Sequence, residues 1–138
     1  MHKSMTALAL AACLSQAAPA VAVPTQEILR GYESEARKES ASFMPSVTRG
    51  ESLFRTERST ARGDKLACAT CHTNDPRQSG ITRAHKTIEP LAPVANPLRF
   101  TDPAKVEKWF GRNCADVFTR SCTAAEKADL ITWLLTIK

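Results

Sequence analysis

The sequence is poor in aromatic residues: Phe, Trp and Tyr make up 6% of its 138 positions. A chain this short, with so few large rings, has little with which to fill a core. It also lacks any run of about 20 apolar residues, so no segment reads as a membrane span. Lys and Arg exceed Asp and Glu by only 5 charges and form no basic run, which gives no footprint for nucleic acid. Internal repeats and low-complexity segments are missing. Methionine occurs at positions 1, 5 and 44, and none follows residue 72. The length excludes a multi-domain enzyme. With 24% charged and 43% apolar residues, the composition excludes a wholly disordered chain.

Cysteine is the exception to this scarcity, with five residues. The first, Cys13, lies in a segment that reads as a secretory leader. Met1-His2-Lys3 gives a short positive start, residues 6–14 are apolar, and Ala20-Val21-Ala22 has the small-x-small pattern of a cleavage site. Cleavage after Ala22 is expected, so residues 1–22 are a signal peptide and residues 23–138 the domain. A rival reading takes Leu10-Ala11-Ala12-Cys13 as a lipoprotein box, with an unusually short apolar run before it. Either way the domain is expected to be exported and, in a bacterium, periplasmic. Removal of the leader leaves Cys68, Cys71, Cys114 and Cys122, an even set in a compartment that permits disulfides.

Helical patterns occur in four places. Residues 26–39 carry Ile28, Leu29, Tyr32 and Ala36 at helical spacing. Residues 48–58 hold Leu53-Phe54 in a polar frame. Asp102-Pro103 supplies an N-cap and a proline at the first helical position, ahead of Val106, Trp109 and Phe110. Thr123 with Glu126 forms a capping box, followed by Leu130, Ile131, Trp133, Leu134, Leu135 and Ile137. Residues 74–101 contain Pro76, Pro90, Pro93 and Pro97 and show little periodicity. An irregular segment of that length is uncommon in a compact domain unless it wraps something other than polypeptide. No alternation is strong enough for a sheet, and the expected fold is all-α.

The chemistry resides in Cys68-Ala69-Thr70-Cys71-His72. C-x-x-C-H is the attachment signature of haem c. Cysteines three apart lie on one side of a helical turn and reach two vinyl groups as thioethers. The next residue, His72, is then placed as the proximal iron ligand. Two other readings are weaker. A redox dithiol belongs near a βαβ pattern, which is missing here. A zinc site needs further ligands; His85 is a candidate third, but no second pair follows. One covalent haem c also answers the scarcity of aromatics, because the cofactor becomes the centre of the core.

Function depends on the opposite face of the iron. An electron carrier usually keeps a strong sixth ligand, often methionine, yet none follows the motif. Met44 precedes it, and His85 sits among Thr82, Arg83 and Lys86, where the simplest reading is a solvated loop residue. Cys114 and Cys122 enclose seven residues between an expected helix end and the next N-cap, most simply as a disulfide; buried free thiols are the alternative. By itself Asn113 reads as a helix C-cap residue. Trp109 and Phe110 read as core or pocket wall, and Arg99 and Arg112 as candidate partners of haem propionates.

The chain resembles the sphaeroides haem protein family, a small group of oxygen-binding cytochromes c. The matching residues are Ile88-Glu89-Pro90-Leu91-Ala92-Pro93, Asn96-Pro97, Arg99-Phe100-Thr101-Asp102, Val106-Glu107-Lys108-Trp109 and Gly111-Arg112-Asn113-Cys114. They continue with Arg120, Cys122-Thr123, Glu126-Lys127-Ala128-Asp129-Leu130 and Trp133-Leu134. Upstream, Gly31-Tyr32, Arg49-Gly50 and Leu53-Phe54 also match. Residues 56–65 carry no match. The resemblance implies a class I cytochrome c fold in which Asn113 is the sixth ligand of ferric haem and Cys114 and Cys122 form a disulfide. It further implies that the asparagine leaves the iron on reduction, opening a site for small diatomic molecules. The implied redox partners are a dihaem cytochrome c and a membrane cytochrome b. A carboxamide suits these roles, being a weak neutral ligand whose oxygen satisfies hard ferric iron and holds ferrous iron poorly.

The leading expectation is thus an exported monohaem cytochrome c, most simply a monomer. It transfers electrons and, when reduced, binds O2 or NO, with CO or cyanide as further small ligands, at the site vacated by Asn113. One alternative is an ordinary six-coordinate carrier with His85 or Met44 as distal ligand. Another is a haem enzyme, such as a terminal oxidase component, an NO dioxygenase or a peroxidase. Peroxidase chemistry usually needs a distal base, for which His85 is the one obvious residue.

Overall fold

The computed structural model describes residues 23–60 and 62–138. The expected signal peptide and Cys13 lie outside the described residues. Helix α1 spans Thr25–Glu39 and α2 spans Val47–Arg55. A short ribbon, β1 (Arg58–Ser59) and β2 (Lys65–Leu66), leads into α3 (Cys68–His72). A second ribbon, β3 (Gly80–Ile81) and β4 (Thr87–Ile88), precedes α4 (Pro103–Phe118) and α5 (Ala124–Thr136). Both ribbons are antiparallel, with Arg58 opposite Leu66 and Gly80 opposite Ile88. The architecture is helical as expected. The ribbons depart from the expectation of no sheet, because two-residue strands are too short to leave an alternation in sequence.

The helix ends follow local chemistry. Ser46 caps α2, its hydroxyl accepting from the Arg49 amide. Asp102 caps α4 by accepting from the Lys105 amide, with Pro103 in the first turn. Thr123 and Glu126 form the capping box of α5. Helix α2 ends at Arg55, three residues short of the expected limit, and the chain turns into β1. Helix α4 runs past its expected end near Cys114 to Phe118, where Thr119 adopts a left-handed conformation at the C-cap. Asn113 is therefore interior to α4 and is not a C-cap.

The core forms where α1 and α2 pack on α5. Phe54, Ile131 and Leu134 are fully buried, and the Phe54 and Trp133 rings stack with centroids 4.9 Å apart. Gly50 permits this approach, since a Cβ there would lie 2.0 Å from the Asp129 carbonyl oxygen. The Asp129 carboxylate, itself buried, accepts from the Ser46 amide at 2.7 Å and from Arg49 Nε at 2.7 Å and Nη2 at 2.9 Å. It thereby ties α5 to the start of α2. On the other side, Lys127 of α5 pairs with Glu107 of α4 at 2.8 Å. The same ammonium lies 5.0 Å from the Tyr32 ring centroid and 5.7 Å from that of Phe110. Tyr32 of α1 also donates to Glu107, so three helices meet at one cation.

Candidate functional site

Helix α3 consists of the five residues Cys68–His72. Thr70 secures its first turn, with its hydroxyl accepting from the Ala67 amide at 3.0 Å. Cys68 and Cys71 are half-buried free thiols, and His72 is half-buried beside them. Burial pushes the Cys68 thiol up to about 11. Burial, reinforced by the Arg99 charge, holds His72 down to about 4. The imidazole is thus neutral at physiological pH, the form that donates a lone pair to a metal.

The backbone around α3 is tightly specified. Thr73, immediately after His72, has φ 63° and ψ 168°, a region adopted almost only by glycine. Holding a β-branched residue there costs on the order of 1–3 kcal/mol. The Thr73 hydroxyl donates to the Asp75 carbonyl at 2.7 Å and accepts from the Asp75 amide at 3.2 Å. Asp75 is fixed in turn by both Arg77 Nε and Nη2, each at 2.9 Å. Gly80 presses on the other side, where a Cβ would meet the Cys71 carbonyl oxygen at 2.0 Å. None of this is visible in sequence, because it depends on contacts made by the folded backbone.

Apart from the β3–β4 ribbon, residues 74–101 are irregular but not loose. The Leu91 and Ala92 amides both donate to the Pro76 carbonyl, folding the loop back on the segment after α3. Arg99 donates to the Pro90 and Glu89 carbonyls at 2.7 and 2.6 Å. Its charge also acts on His72, which places Arg99 in the electrostatic surroundings of α3. Arg112 is exposed, 5.3 Å above the Trp109 ring.

Asn113 and Trp109 stand one turn apart on α4, on one flank of the buried stripe formed by Val106, Phe110, Cys114 and Val117. Glu107, on the opposite flank, faces α1 and α5 through Tyr32 and Lys127. Asn113 is exposed and Trp109 is 47% exposed. Cys114 and Cys122 are joined by a disulfide with Cα atoms 5.6 Å apart, which ties the last turns of α4 to the start of α5 beside Asn113. His85 is exposed in the turn between β3 and β4, with φ 56°. Met44, between α1 and α2, is 71% exposed. Among the described residues no three His, Cys, Asp or Glu are grouped to hold a metal ion, so His85 does not join Cys68 and Cys71 as the zinc reading requires.

The residues present fit a haem of the c type. Two thiols and a neutral imidazole share one helical turn, and that donor set attaches a porphyrin and ligates its iron. Trp109, Val94 and Leu98 add exposed apolar surface, the last two 56% and 79% exposed.

Known proteins resemble this chain in sequence and fold. A family described as a domain of unknown function, DUF1924, matches residues 40–134. Cytochrome c-type protein SHP of Cereibacter sphaeroides is 45% identical over 120 residues, covering 86% of this chain and 89% of that protein. Cytochrome c'' of Methylophilus methylotrophus is 44% identical over 93 residues, or 67% of this chain and 65% of that one. The crystal structure of oxidised cytochrome c'' superposes with a TM-score of 0.77 at 37% identity, covering 83% of this chain and 95% of the other. The structure of oxidised SHP, described as an oxygen-binding cytochrome c, gives 0.75 at 42% identity, with 84% and 99% covered. A match this long, carried by both sequence and fold, makes the expected helical cytochrome c architecture the observed one, and the chain belongs to the sphaeroides haem protein family of c-type cytochromes.

Proposed function

We propose that this protein is an exported monohaem cytochrome c that transfers electrons and, when reduced, takes up small diatomic ligands such as O2 or NO at the position Asn113 gives up. The observation that carries the reading is Asn113 itself. It is interior to a regular helix, one turn from Trp109 and next to a disulfide, on a flank of α4 that polypeptide leaves uncovered. When bound, the haem supplies a one-electron centre with an exchangeable coordination position. The rest is done by this chain. The Cys68 and Cys71 thiols would hold the haem through its vinyl groups, and the neutral His72 imidazole would ligate its iron. The Asn113 carboxamide oxygen would be a weak ligand suited to ferric and not to ferrous iron, and when free its amide would be a hydrogen-bond donor to an incoming ligand. The single C-x-x-C-H supports one haem. The SHP structure is described as oxygen-binding, and a solution structure of cytochrome c'' is described in terms of haem-ligand detachment. Both fit a distal ligand that leaves. A dihaem cytochrome c and a membrane cytochrome b are the proposed redox partners.

Optical spectra of the purified holoprotein test this reading. The reduced protein is expected to be high-spin and to shift on adding carbon monoxide. Asn113→Ala should change the ferric spectrum and leave the ferrous one nearly intact. A low-spin ferrous spectrum indifferent to the gas would transfer the distal role to His85 or Met44 and make the protein an ordinary carrier. Sustained turnover of peroxide or NO would instead make it an enzyme.

A further inference from the structure

Charge is distributed unevenly over the domain. Residues 55–88 hold seven Arg or Lys against three Asp or Glu, whereas the rest of residues 23–138 holds eleven of each. The entire cationic excess therefore lies in the run that contains β1, β2, α3, β3 and β4. The fold keeps that charge together. The two ribbon turns meet where Arg83 Nη1 lies 3.8 Å from Asp64 Oδ2. Strand β2 runs into α3 with only Ala67 between them, and Gly80 of β3 lies against the Cys71 carbonyl. Both ribbons are thus fixed directly to the helix that bears the haem-attachment residues.

Two of the seven, Arg55 and Arg77, are paired with Glu51 and Asp75, and Arg58 lies 5.2 Å from the Phe118 ring centroid; the others contribute little to the fold. Arg58, Arg62, Lys65, Arg83 and Lys86 are all exposed. Apart from the long Arg83–Asp64 contact, none of the five forms an ion pair among the described residues. On α1, by contrast, Arg37 and Lys38 are paired with Glu33 and Glu35. Ile81, two residues before Arg83, is 52% exposed and provides an apolar point within the cationic surface, as the centre of a small interface does. Unpaired surface charge of one sign steers an oppositely charged partner and sets its orientation. No amphipathic helix accompanies the ribbons, which disfavours a lipid surface as the target.

We propose that the surface formed by the two ribbons around α3 is the docking face for an acidic electron-transfer protein, presenting the haem-bearing helix to it. This rests on the electron-transfer function above. In the exchange one electron passes from the reduced partner to the ferric haem, with no bond formed or broken and no proton required.

The test is flash-photolytic reduction of the full holoprotein by two donors, an acidic flavodoxin and free lumiflavin semiquinone, which is uncharged. The flavodoxin rate constant should fall about tenfold between low salt and 0.2 M salt, while the lumiflavin rate stays flat. Arg62→Glu with Lys86→Glu should lower the flavodoxin rate about tenfold at low salt and spare the lumiflavin rate. Arg62→Gln with Lys86→Gln should give an intermediate loss. Arg30→Glu with Lys38→Glu makes the same change in net charge on α1 and should stay within about twofold of the parent. Equal losses in the ribbon and α1 variants would mean net charge and not a face, and would overturn the proposal, as would a salt-independent flavodoxin rate. Ribbon variants that lose binding to phosphatidylglycerol vesicles but keep the flavodoxin rate would overturn it in favour of a membrane. Failure of lumiflavin to reduce the haem would instead remove the electron-transfer reading, and the docking proposal with it.

Discussion

Around Phe54, Ile131 and Leu134, helices α2 and α5 meet through buried apolar side chains, with the Asp129–Arg49 pair at one end of the contact. Around Cys68, Cys71 and His72, the chain is held by turn hydrogen bonds, two-residue ribbons and a strained Thr73. The first region derives its stability mainly from burial, which is large per residue. The second derives it from bonds worth about 0.5–1.5 kcal/mol each, which specify geometry while adding little stability. The two regions should therefore respond differently to damage. A defect in the α2–α5 frame should lower global stability and leave the site's spectrum alone. A defect around α3 should do the reverse.

The largest separation is expected from Phe54→Ala. It leaves a cavity at the centre of the frame and should cost about 3–5 kcal/mol, read by denaturant unfolding of the holoprotein. The native haem spectrum should be unchanged before the transition. Next is the disulfide beside Asn113. Cys114→Ser with Cys122→Ser releases a short loop and should cost about 2.5 kcal/mol in the chain-entropy model. If Asn113 depends on that staple, the ferric spectrum moves as well, and the disulfide belongs to both regions.

The paired glycines give a sharper comparison. Gly50→Ala and Gly80→Ala each drive a Cβ to within 2.0 Å of a backbone carbonyl, that of Asp129 in the first case and that of Cys71 in the second. Overpacking of this kind costs roughly 1–3 kcal/mol. Gly50→Ala should lower the midpoint of unfolding with no spectral change. Gly80→Ala should displace the Cys71–His72 backbone and alter the haem spectrum for a smaller loss of stability. Identical responses would erase the distinction between the two regions.

The smallest effect is expected at Asp75. Hydrogen bonds from Arg77 lower its carboxyl to about 2, below the ordinary aspartate value of about 4. A lowered value in the folded state means that the pair contributes above pH of about 4 and that this contribution is lost as the pH falls towards 2. An NMR titration should show Asp75 near 2 in the parent and raised part of the way towards the ordinary value of about 4 in Arg77→Gln, which keeps the amide of residue 77 as a donor. Because the pair is exposed, the accompanying change in stability should be slight.

The frame was far more legible in the sequence than the site's surroundings. Asp102-Pro103 and Thr123 with Glu126 announce two helix starts because a cap is written in the residues that make it. The apolar stripe of α5 could be read because burial imposes its own period. The end of α4 was misread: Asn113-Cys114 resembles a cap, but Val117 and Phe118 are buried, and packing carries the helix on to Thr119. C-x-x-C-H was legible as a motif, and the structure places its three side chains on the single turn of α3. The clamp around it was not. Arg99 reaches the Glu89 and Pro90 carbonyls by tertiary folding, and Thr73 holds its conformation only because Asp75 and its neighbours enforce it. Residues 74–101 were read as irregular, which missed the β3–β4 ribbon within them; their remaining order comes from amide–carbonyl bonds, to which almost any sequence contributes alike.

The ammonium of Lys127 answers at once to Glu107, to the Tyr32 ring and to the Phe110 ring. In evolutionary terms these four positions should behave as a single unit of inheritance. A guanidinium in place of the lysine would bring a flat fork where a compact charge sits between two rings, and loss of the carboxylate would strand the cation. Drift at any one of the four should therefore be followed by change at the others, so that related sequences keep the quartet whole or replace it together, even where the residues around it vary freely.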